Sequence, residues 1–377
     1  MPTTKFTNLD FDQIKTSIKD YLRSNSDFSG FDFEGSNFSV LLDTLAYNTY
    51  ITAFNSNMIV NESFLDSATL RENVVSLARN IGYVPRSRTA AKAQVSFKLN
   101  LGTSEPTSNS VELQKGVVCV GSVNDSSYIF SISDNISKQV VQEGNDYVVN
   151  FDNLTIHQGT YLTKQFKFDN SLDQKFILDN SFIDTSTLHV YVRKEEETGV
   201  GYEYYISDDI TDIDSTSRVY FLQEVQDEKY EIRFGDGLLG KKLGSGTQQD
   251  GTIITVDYIV SDGVDGNGAE GFSFSGNLIN TSTGNSIVPD STPVVTTITK
   301  SEGGSNIEPI DSIKYYSPKI YSSQNRAVTP RDYEAIIKRI YPETESVSVV
   351  GGEELNPPEF GTVQISIKPK FATYISD

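Results

Sequence analysis

The sequence is poor in the side chains that carry most enzyme chemistry. Its 377 residues include one cysteine, two histidines and no tryptophan. A single cysteine excludes a disulfide framework within the chain, which fits assembly in a reducing cytoplasm. Cys119 lies in the apolar run GVVCVGS, so we expect a buried thiol rather than a reactive one. His157 and His189 lack the spacing of a zinc site, so the sequence predicts no metal and no cofactor.

Two other functions stay open at this point. The chain lacks a G-x-S-x-G nucleophile elbow, but among its 51 acidic residues an Asp/Glu pair could meet in a cleft, as glycoside hydrolysis requires. The 20 tyrosines and the abundant Asn and Asp side chains are compatible with a carbohydrate-binding or adhesive β-rich protein. The absence of tryptophan weighs against sugar stacking. The sequence as a whole predicts a protein that is not an enzyme.

Acidic residues clearly outnumber basic ones. The 51 Asp and Glu against 31 Lys and Arg give a formal net charge of -20. Such a field repels phosphate backbones and anionic lipid surfaces, so neither nucleic acid nor a membrane is an expected partner. No segment approaches the roughly 20 apolar residues that a membrane-spanning helix needs.

Residues 1–88 have the apolar periodicity of helices. The first predicted helix follows Asp10, which is placed as its N-cap. A third helix is predicted to open with a capping box of Thr69 and Glu72. The alternatives for this region are a self-contained three-helix domain and a region that assembles with other chains.

The second predicted helix, within residues 36–60, is apolar along one side and carries asparagines in that stripe. The stripe contains Phe38, Leu41, Leu42, Leu45, Phe54, Met58 and Ile59, interrupted by Asn48, Asn55 and Asn57. Such a helix suits a bundle seam between chains better than one sealed core.

Residues 89–305 show a period of two. Runs such as AQVSFKLNL, LHVYVRK and GTIITVDYIV alternate apolar and polar residues between Gly, Asp, Asn and Ser turns. We expect a large antiparallel β-rich middle, either a sandwich or two sheets. Gly235, Gly237 and Gly240 match G-x-G-x-x-G, but another strand follows where a dinucleotide site needs a helix, so they are interpreted as turn positions.

Residues 306–377 change to an α/β pattern. Thr329 is the predicted N-cap of a helix with Pro330 at its first position and Asp332 at its third. The helix is expected to bury a stripe of Tyr333, Ile336, Ile337 and Ile340. An extended approach precedes it and two strands follow it. The predicted class is therefore multidomain α+β, with an N-terminal helical bundle region, the β-rich middle and an incomplete α/β C-terminal domain.

Two long segments are specific rather than compositional. One is SPKIYSSQNRAVTPRDYEAIIKRIYP, residues 317–342, and the other is residues 32–91, through DFEGS, LAYNT, ESF and GYVPRS. Both resemble the baseplate J-like family, which includes baseplate wedge subunits of T-even-type contractile-tailed phages (myoviruses). FGDGLLG and GVDGNGAEGFSF are similar to the family's β region, in the same order along the chain.

The resemblance implies a structural subunit of the virion tail baseplate, assembled in the host cytoplasm and scaffolding a ring around the tail hub that rearranges on sheath contraction. It implies three partners: a second copy of the chain, a long wedge subunit and a lysozyme-like sheath-initiator subunit. The implied contacts in the helical seam are Phe38, Leu42, Leu45, Tyr47, Asn48 and Phe54. Family members continue beyond the equivalent of Asp377, so the ring-closing region is expected to be largely absent.

Overall fold

The computed structural model describes residues 10–25, 27, 30–33, 35, 37–103, 109–169, 174–207, 213–244, 252–324, 326–341 and 344–369. The chain divides into two compact units. A helical unit combines Met1–Val84 with Pro309–Asn325, and a β-rich unit combines Pro85–Glu308 with Arg326–Asp377. The N-terminal helices, the antiparallel β-rich middle and a small helix–strand C-terminal region confirm the predicted α+β class. The predicted boundaries after residues 88 and 305 divide the chain differently and stay predictions.

The described part of the helical unit contains four helices. They are α1 (Phe11–Arg23), α2 (Phe38–Glu62), α3 (Arg71–Asn80) and α4 (Ile310–Ser323). α1 packs against α2, and α3 packs against α4. An apolar cluster of this unit consists of Ala68, Val74, Val75, Ala78, Tyr83, Ile313 and Ile320. The cluster therefore joins two segments that lie far apart in sequence.

The prediction of an extended segment before residue 329 is wrong, because much of that segment belongs to α4. Pro318 lies inside α4, where it lacks an N–H group and crowds the carbonyl one turn earlier. Ile313, Ser317 and Ile320 are buried along one face of the helix, at spacing i, i+4 and i+7. Packing of that face against α3 outweighs the local cost of the proline, as tertiary context often does.

The capping box predicted for Thr69 and Glu72 is also wrong. α3 begins at Arg71 without a side-chain cap. Instead, the Glu62 carboxylate at the end of α2 accepts hydrogen bonds from the Thr69 amide at 2.8 Å, from the Thr69 hydroxyl at 2.6 Å and from Asn73 Nδ2 at 2.8 Å. Desolvation alone would raise the pKa of Glu62, but these hydrogen bonds lower it from 4.5 to about 2. A carboxylate from the preceding helix thus accepts the hydrogen bonds that a local cap would otherwise accept at the start of α3.

Two other predicted helix starts are confirmed. The Asp10 side chain accepts hydrogen bonds from the amides two and three residues ahead, at 3.0 and 3.1 Å. Thr329 and Asp332 form a reciprocal capping box before α5 (Pro330–Ile340). Both caps use side chains within three residues of the amides they satisfy, so a local pattern was sufficient to predict them.

The described part of the β-rich unit contains twenty strands. They are β1 Lys92–Asn100, β2 Ser110–Leu113, β3 Gly116–Val123, β4 Ser126–Ile132, β5 Ile136–Gln139, β6 Val141–Glu143, β7 Asp146–Gln158, β8 Thr160–Lys167, β9 Phe176–Leu178, β10 Ile183–Arg193, β11 Tyr202–Ile206, β12 Val219–Glu224, β13 Tyr230–Phe234, β14 Ile253–Val260, β15 Glu270–Phe274, β16 Leu278–Asn280, β17 Ser286–Ile287, β18 Val295–Glu302, β19 Thr344–Gly351 and β20 Val363–Pro369.

Most of these strands form two seven-stranded sheets. The first sheet has the order β15-β3-β4-β7-β1-β18, with β6 paired to β7, and the second has the order β8-β14-β10-β11-β12-β13-β9. A bridge between Ser273 and Val294 links the two ends of the first sheet, as in a barrel. The short β11–β12 pair is parallel, while the neighbouring pairs of the second sheet are antiparallel. A four-stranded sheet, β17-β16-β2-β5, accompanies them.

Each large sheet encloses its own apolar core. In the first core the rings of Phe97 and Phe151 stack with centroids 5.0 Å apart. In the second, β14 turns Ile254, Val256 and Tyr258 inward at alternate positions. The period-two pattern marked strands with one buried face, as in β1, whereas Asp257 and Ile259 on the other face of β14 are buried as well.

The C-terminal helix is less buried than the sequence suggested. α5 packs on β19, which pairs only with β20 in a two-stranded sheet within the described residues. Ala335 is the buried residue of α5, whereas Tyr333, Ile336 and Ile337 are half-buried. Ile340 is 76% exposed, so the prediction of a buried stripe is wrong. The reason is geometric: two strands are too narrow to cover the whole apolar side of the helix.

Candidate assembly interface

α2 has the composition of a buried helix but is largely exposed. Of its 25 residues, only Asp43 and Glu62 are charged. Leu42, Ala46 and Asn57 are buried and mark a single covered side. A long helix with so few charges and with large apolar side chains on more than one side is normally buried in a folded protein or assembly. The uncovered sides of α2 are therefore the leading candidate for a functional surface.

Large exposed side chains of α2 form an apolar seam that is interrupted at Thr44. The apolar seam consists of Val40, Tyr47, Ile51, Phe54 and Met58, which are 36% to 67% exposed. Their spacing of seven, four, three and four residues is the heptad spacing of a helix that packs along another helix. At 1.5 Å per residue the seam is roughly 27 Å long.

A second seam lies beside the first, displaced by one residue or about 100° around the helix. This amide seam consists of Leu41, Leu45, Asn48, Thr52, Asn55 and Ile59, all exposed. Its ends are apolar and its centre carries two amides. Amides at such positions select a partner that offers matching polar groups, and they set the register of the pair. The two seams therefore suit different partners.

Hydroxyl groups on α2 are satisfied within the helix itself. Thr44, Thr49, Thr52 and Ser56 each donate to the carbonyl four residues earlier, at 2.8 to 2.9 Å. A hydroxyl already bonded in this way does not lose a partner when the surface is covered. These four hydroxyl groups thus add little cost to burial against another helix.

The six predicted contact residues split into two groups. The exposed group is Leu45, Tyr47, Asn48 and Phe54. Leu42 is only 2% exposed and lies on the covered side of α2. The Phe38 ring packs within the unit, 5.8 Å from Phe31 and 6.1 Å from Phe33. Periodicity identified an apolar helix but not which of its stripes the chain covers by itself. Contact with a partner stays a prediction for all six.

Val40 and Ile51 belong to the apolar seam but were not singled out from the sequence. A signal for them existed, because Val40, Tyr47 and Phe54 recur every seven residues, and Ile51 and Met58 do the same. Reading the helix with a period of 3.5 would have separated this seam from the covered side.

The glycine-rich motif of the β-rich unit is a turn, as predicted. Gly237 and Gly240 have φ values of 98° and 83°, which favour glycine. Asp236 Oδ1 accepts hydrogen bonds from the amides of Leu238 and Leu239, at 2.8 and 2.9 Å, and these bonds close the turn. An isolated bridge at Lys242 and a turn, rather than a helix, follow the last glycine of the motif in the described residues. The phosphate-binding geometry of a dinucleotide fold is not formed there.

Side chains suited to catalysis or metal binding are scattered. Cys119 is buried, and this burial raises its pKa to about 12. Burial lowers the pKa of His157 on β7, whereas His189 on β10 lies 3.1 Å from Glu203. In the part of the chain that the structure describes, no three His, Cys, Asp or Glu side chains converge on a possible metal position. None of the described helices has an apolar stretch long enough to cross a bilayer.

Two segments match families of baseplate proteins. Residues 10–83, which contain α1 to α3, match the family described as "Baseplate wedge protein gp6-like, helical domain". Residues 329–377, which contain α5, β19 and β20, match "Baseplate structural protein gp6, C-terminal domain I". Both descriptions are consistent with the wedge resemblance, while the name baseplate J-like family stays a prediction.

Two further comparisons concern single proteins. The baseplate wedge protein gp6 of Enterobacteria phage T4 is 28% identical over 382 residues, covering 97% of this chain and 54% of that protein. The chain thus spans about half the length of this curated relative. A chain in the cryo-EM structure of the anti-feeding prophage baseplate matches with a TM-score of 0.32 and 13% identity, over 92% of this chain and 67% of that chain. A TM-score this low does not establish a common fold.

Proposed function

We propose that this chain is a structural subunit of the tail baseplate of a contractile-tailed phage, located in the virion and acting through surfaces rather than through catalysis. The observation that carries the proposal is the exposed, nearly uncharged α2, within the segment similar to the helical domain of baseplate wedge proteins. The 28% identity to a phage T4 wedge protein, over 97% of this chain, supports the same function. These similarities do not favour an adhesive tail protein.

The two seams of α2 support a specific mode of assembly. We assign the apolar seam to a second copy of this chain and the amide seam to a helix of another wedge subunit, the long one. Covering five side chains that are now about half exposed contributes roughly 4–8 kcal/mol, before the entropic cost of association. The lysozyme-like sheath-initiator subunit is a third proposed partner, and it would contact other surfaces. In this arrangement the chain scaffolds a ring around the tail hub, which rearranges when the sheath contracts.

The proposal is tested by placing a charge in the apolar seam. Ile51→Glu and Phe54→Glu are expected to prevent formation of wedges when the chain is co-expressed with the other baseplate subunits of its phage. The physical reason is that a carboxylate in a helix–helix seam loses its hydration without gaining a partner. Co-purification of the subunits and electron microscopy of the assembled particles measure the effect.

Val294→Glu is the matched control. Val294 is 83% exposed and precedes β18, so the variant adds the same charge to the β-rich unit while leaving α2 unchanged. It is expected to assemble like the wild type. Normal wedges from both seam variants would refute the assignment of α2 as the assembly surface.

A further inference from the structure

A cleft rich in basic and aromatic side chains lies at the β9 end of the second sheet. Its volume is about 510 Å³, which is within the usual range of ligand sites. The cations in its lining are Lys175, Arg233 and Lys242, and Phe168 and Phe234 are among its apolar residues. Basic residues gathered in one cleft stand out in a chain with a net charge of -20. The cleft is distinct from α2 and adjoins the glycine-rich turn described above.

The three cations of the cleft differ in their ion pairing from Lys164 and Lys300 of the same unit. Lys164 pairs with Asp179 at 2.6 Å, and Lys300 pairs with Glu270 at 2.7 Å. Lys175, Arg233 and Lys242 form no such ion pair among the described residues: no carboxylate oxygen lies within 4.0 Å of their side-chain nitrogens. Lys175, Arg233 and Lys242 are thus not held in close ion pairs among the described residues. Lys242 does act on a nearby carboxylate, because the amides of Leu239 and Leu238 and, to a lesser extent, the charge of Lys242 lower the pKa of Asp236.

One carboxylate also lines the cleft and is already engaged. Glu231 Oε2 accepts a hydrogen bond from Gln223 Nε2 at 2.6 Å. With three cations and this one anion, the lining carries a net charge of about +2 near neutral pH. The net charge of the cleft lining is thus opposite in sign to that of the whole chain.

Aromatic rings form the apolar side of the cleft. Phe176 packs edge-to-face against Phe166 and Phe234, with ring centroids 5.5 and 5.6 Å apart. Phe176 is 7% exposed, while Phe168 and Phe234 are half-buried. Rings fixed by one another give a preformed apolar surface in the lining, which lowers the entropic cost of binding.

The glycine turn fixes one wall of the cleft. A Cβ on Gly235 would lie 2.2 Å from the carbonyl carbon of Gly240, so only glycine allows this close approach. A backbone bridge joins Gly235 to Lys242, which holds the backbone of Lys242 next to the end of β13. The motif that resembles a phosphate loop in sequence therefore serves to position a cation of the cleft.

We propose that this cleft binds an acidic peptide segment of a partner protein. The carboxylates of the segment pair with Lys175, Arg233 and Lys242, and an aromatic side chain packs on the phenylalanine rings. Arginine is suited to this because its guanidinium binds a carboxylate through two parallel hydrogen bonds. A small inorganic anion would leave the apolar wall unused.

The test uses the full chain and a fluorescein-labelled peptide, EDEFEDE, followed by fluorescence anisotropy. Saturable binding is expected, and it should weaken at least about tenfold when Phe in the peptide is replaced by Ala. The double variant Arg233→Gln/Lys242→Gln should also weaken binding at least about tenfold, because it removes two charge-assisted hydrogen-bond donors.

The double variant Lys164→Gln/Lys300→Gln is the matched control, since it removes the same charge from the same unit. Its affinity should stay within about twofold of the wild type. Equal losses in both double variants would show a general charge effect and overturn the proposal. Absence of saturable binding of the peptide to the wild type, up to about 1 mM, would also overturn the proposal. The same holds if ATP or inorganic phosphate binds more tightly than the peptide in a competition measurement. The Ala-substituted peptide tests the aromatic contact without any change in the protein.

Discussion

At the scale of single residues, Glu62 determines how α2 connects to α3. Its carboxylate accepts hydrogen bonds from Thr69 and Asn73, so Glu62→Gln is expected to destabilise the helical unit by about 1 kcal/mol at pH 7. The pKa of Glu62 is lowered from 4.5 to about 2, so its ionic contribution is fully present above pH 4.5 and is lost as the pH falls toward 2. Urea unfolding followed by circular dichroism at 222 nm measures the difference from wild type, which should shrink across that window.

Glu72→Gln is the control for this prediction. Glu72 lies in the first turn of α3 and was expected from the sequence to form the capping box, but that cap is absent. Its substitution should therefore cost less than that of Glu62. A larger effect at Glu72, or a Glu62 effect that does not change between pH 7 and pH 2, would contradict the role assigned to the Glu62 carboxylate.

At the scale of the element, α4 contains a buried hydroxyl that does not contribute hydrogen bonding. Ser317 is fully buried, and its Oγ has no hydrogen-bond partner in the described residues. Ser317→Ala should therefore raise the free energy of unfolding by about 1 kcal/mol, because it removes an unsatisfied polar group. Ser322→Ala corrects for helix propensity, since Ser322 is exposed on the same helix and donates to a carbonyl. A loss of stability in Ser317→Ala, measured by urea unfolding, would show that the hydroxyl is used.

At the scale of the whole molecule, the helical unit is not a simple N-terminal domain. Deleting residues 1–84 removes α3 but leaves Ile313 and Ile320 of α4, which belong to the same apolar cluster. We expect this deletion to give a protein that binds a hydrophobic dye and aggregates. Replacing residues 309–325 by a flexible linker in the same deletion should restore a monomer, because both sides of the cluster are then gone.

Size-exclusion chromatography and dye fluorescence distinguish the two deletions. A far-ultraviolet circular dichroism spectrum checks that both keep their β structure. If the simple deletion is monomeric and binds no dye, the contact between α3 and α4 does not hold the unit together. The result bears on every truncation used to study assembly, since a cut after residue 84 or 88 disturbs more than the N-terminal helices.

The proposed assembly surface on α2 shows how much could be predicted from the sequence. The sequence identified α2 as long, apolar and rich in asparagine, and it selected Tyr47 and Phe54, which are exposed. It also selected Leu42, which is buried within the unit. More than one stripe of this helix carries large apolar side chains, so pattern alone cannot say which one the chain covers itself. That choice depends on where α1 lies.

The sequence by itself determined features that arise from neighbouring residues. The caps at Asp10 and Thr329, the period-two strands and the nearly uncharged α2 all follow from side chains a few positions apart. The tertiary structure decided the helical state around Pro318, the use of Glu62 in place of a local cap, and the open sides of α2. These depend on contacts between segments distant in the chain, and the energy of such contacts exceeds the small differences in local propensity.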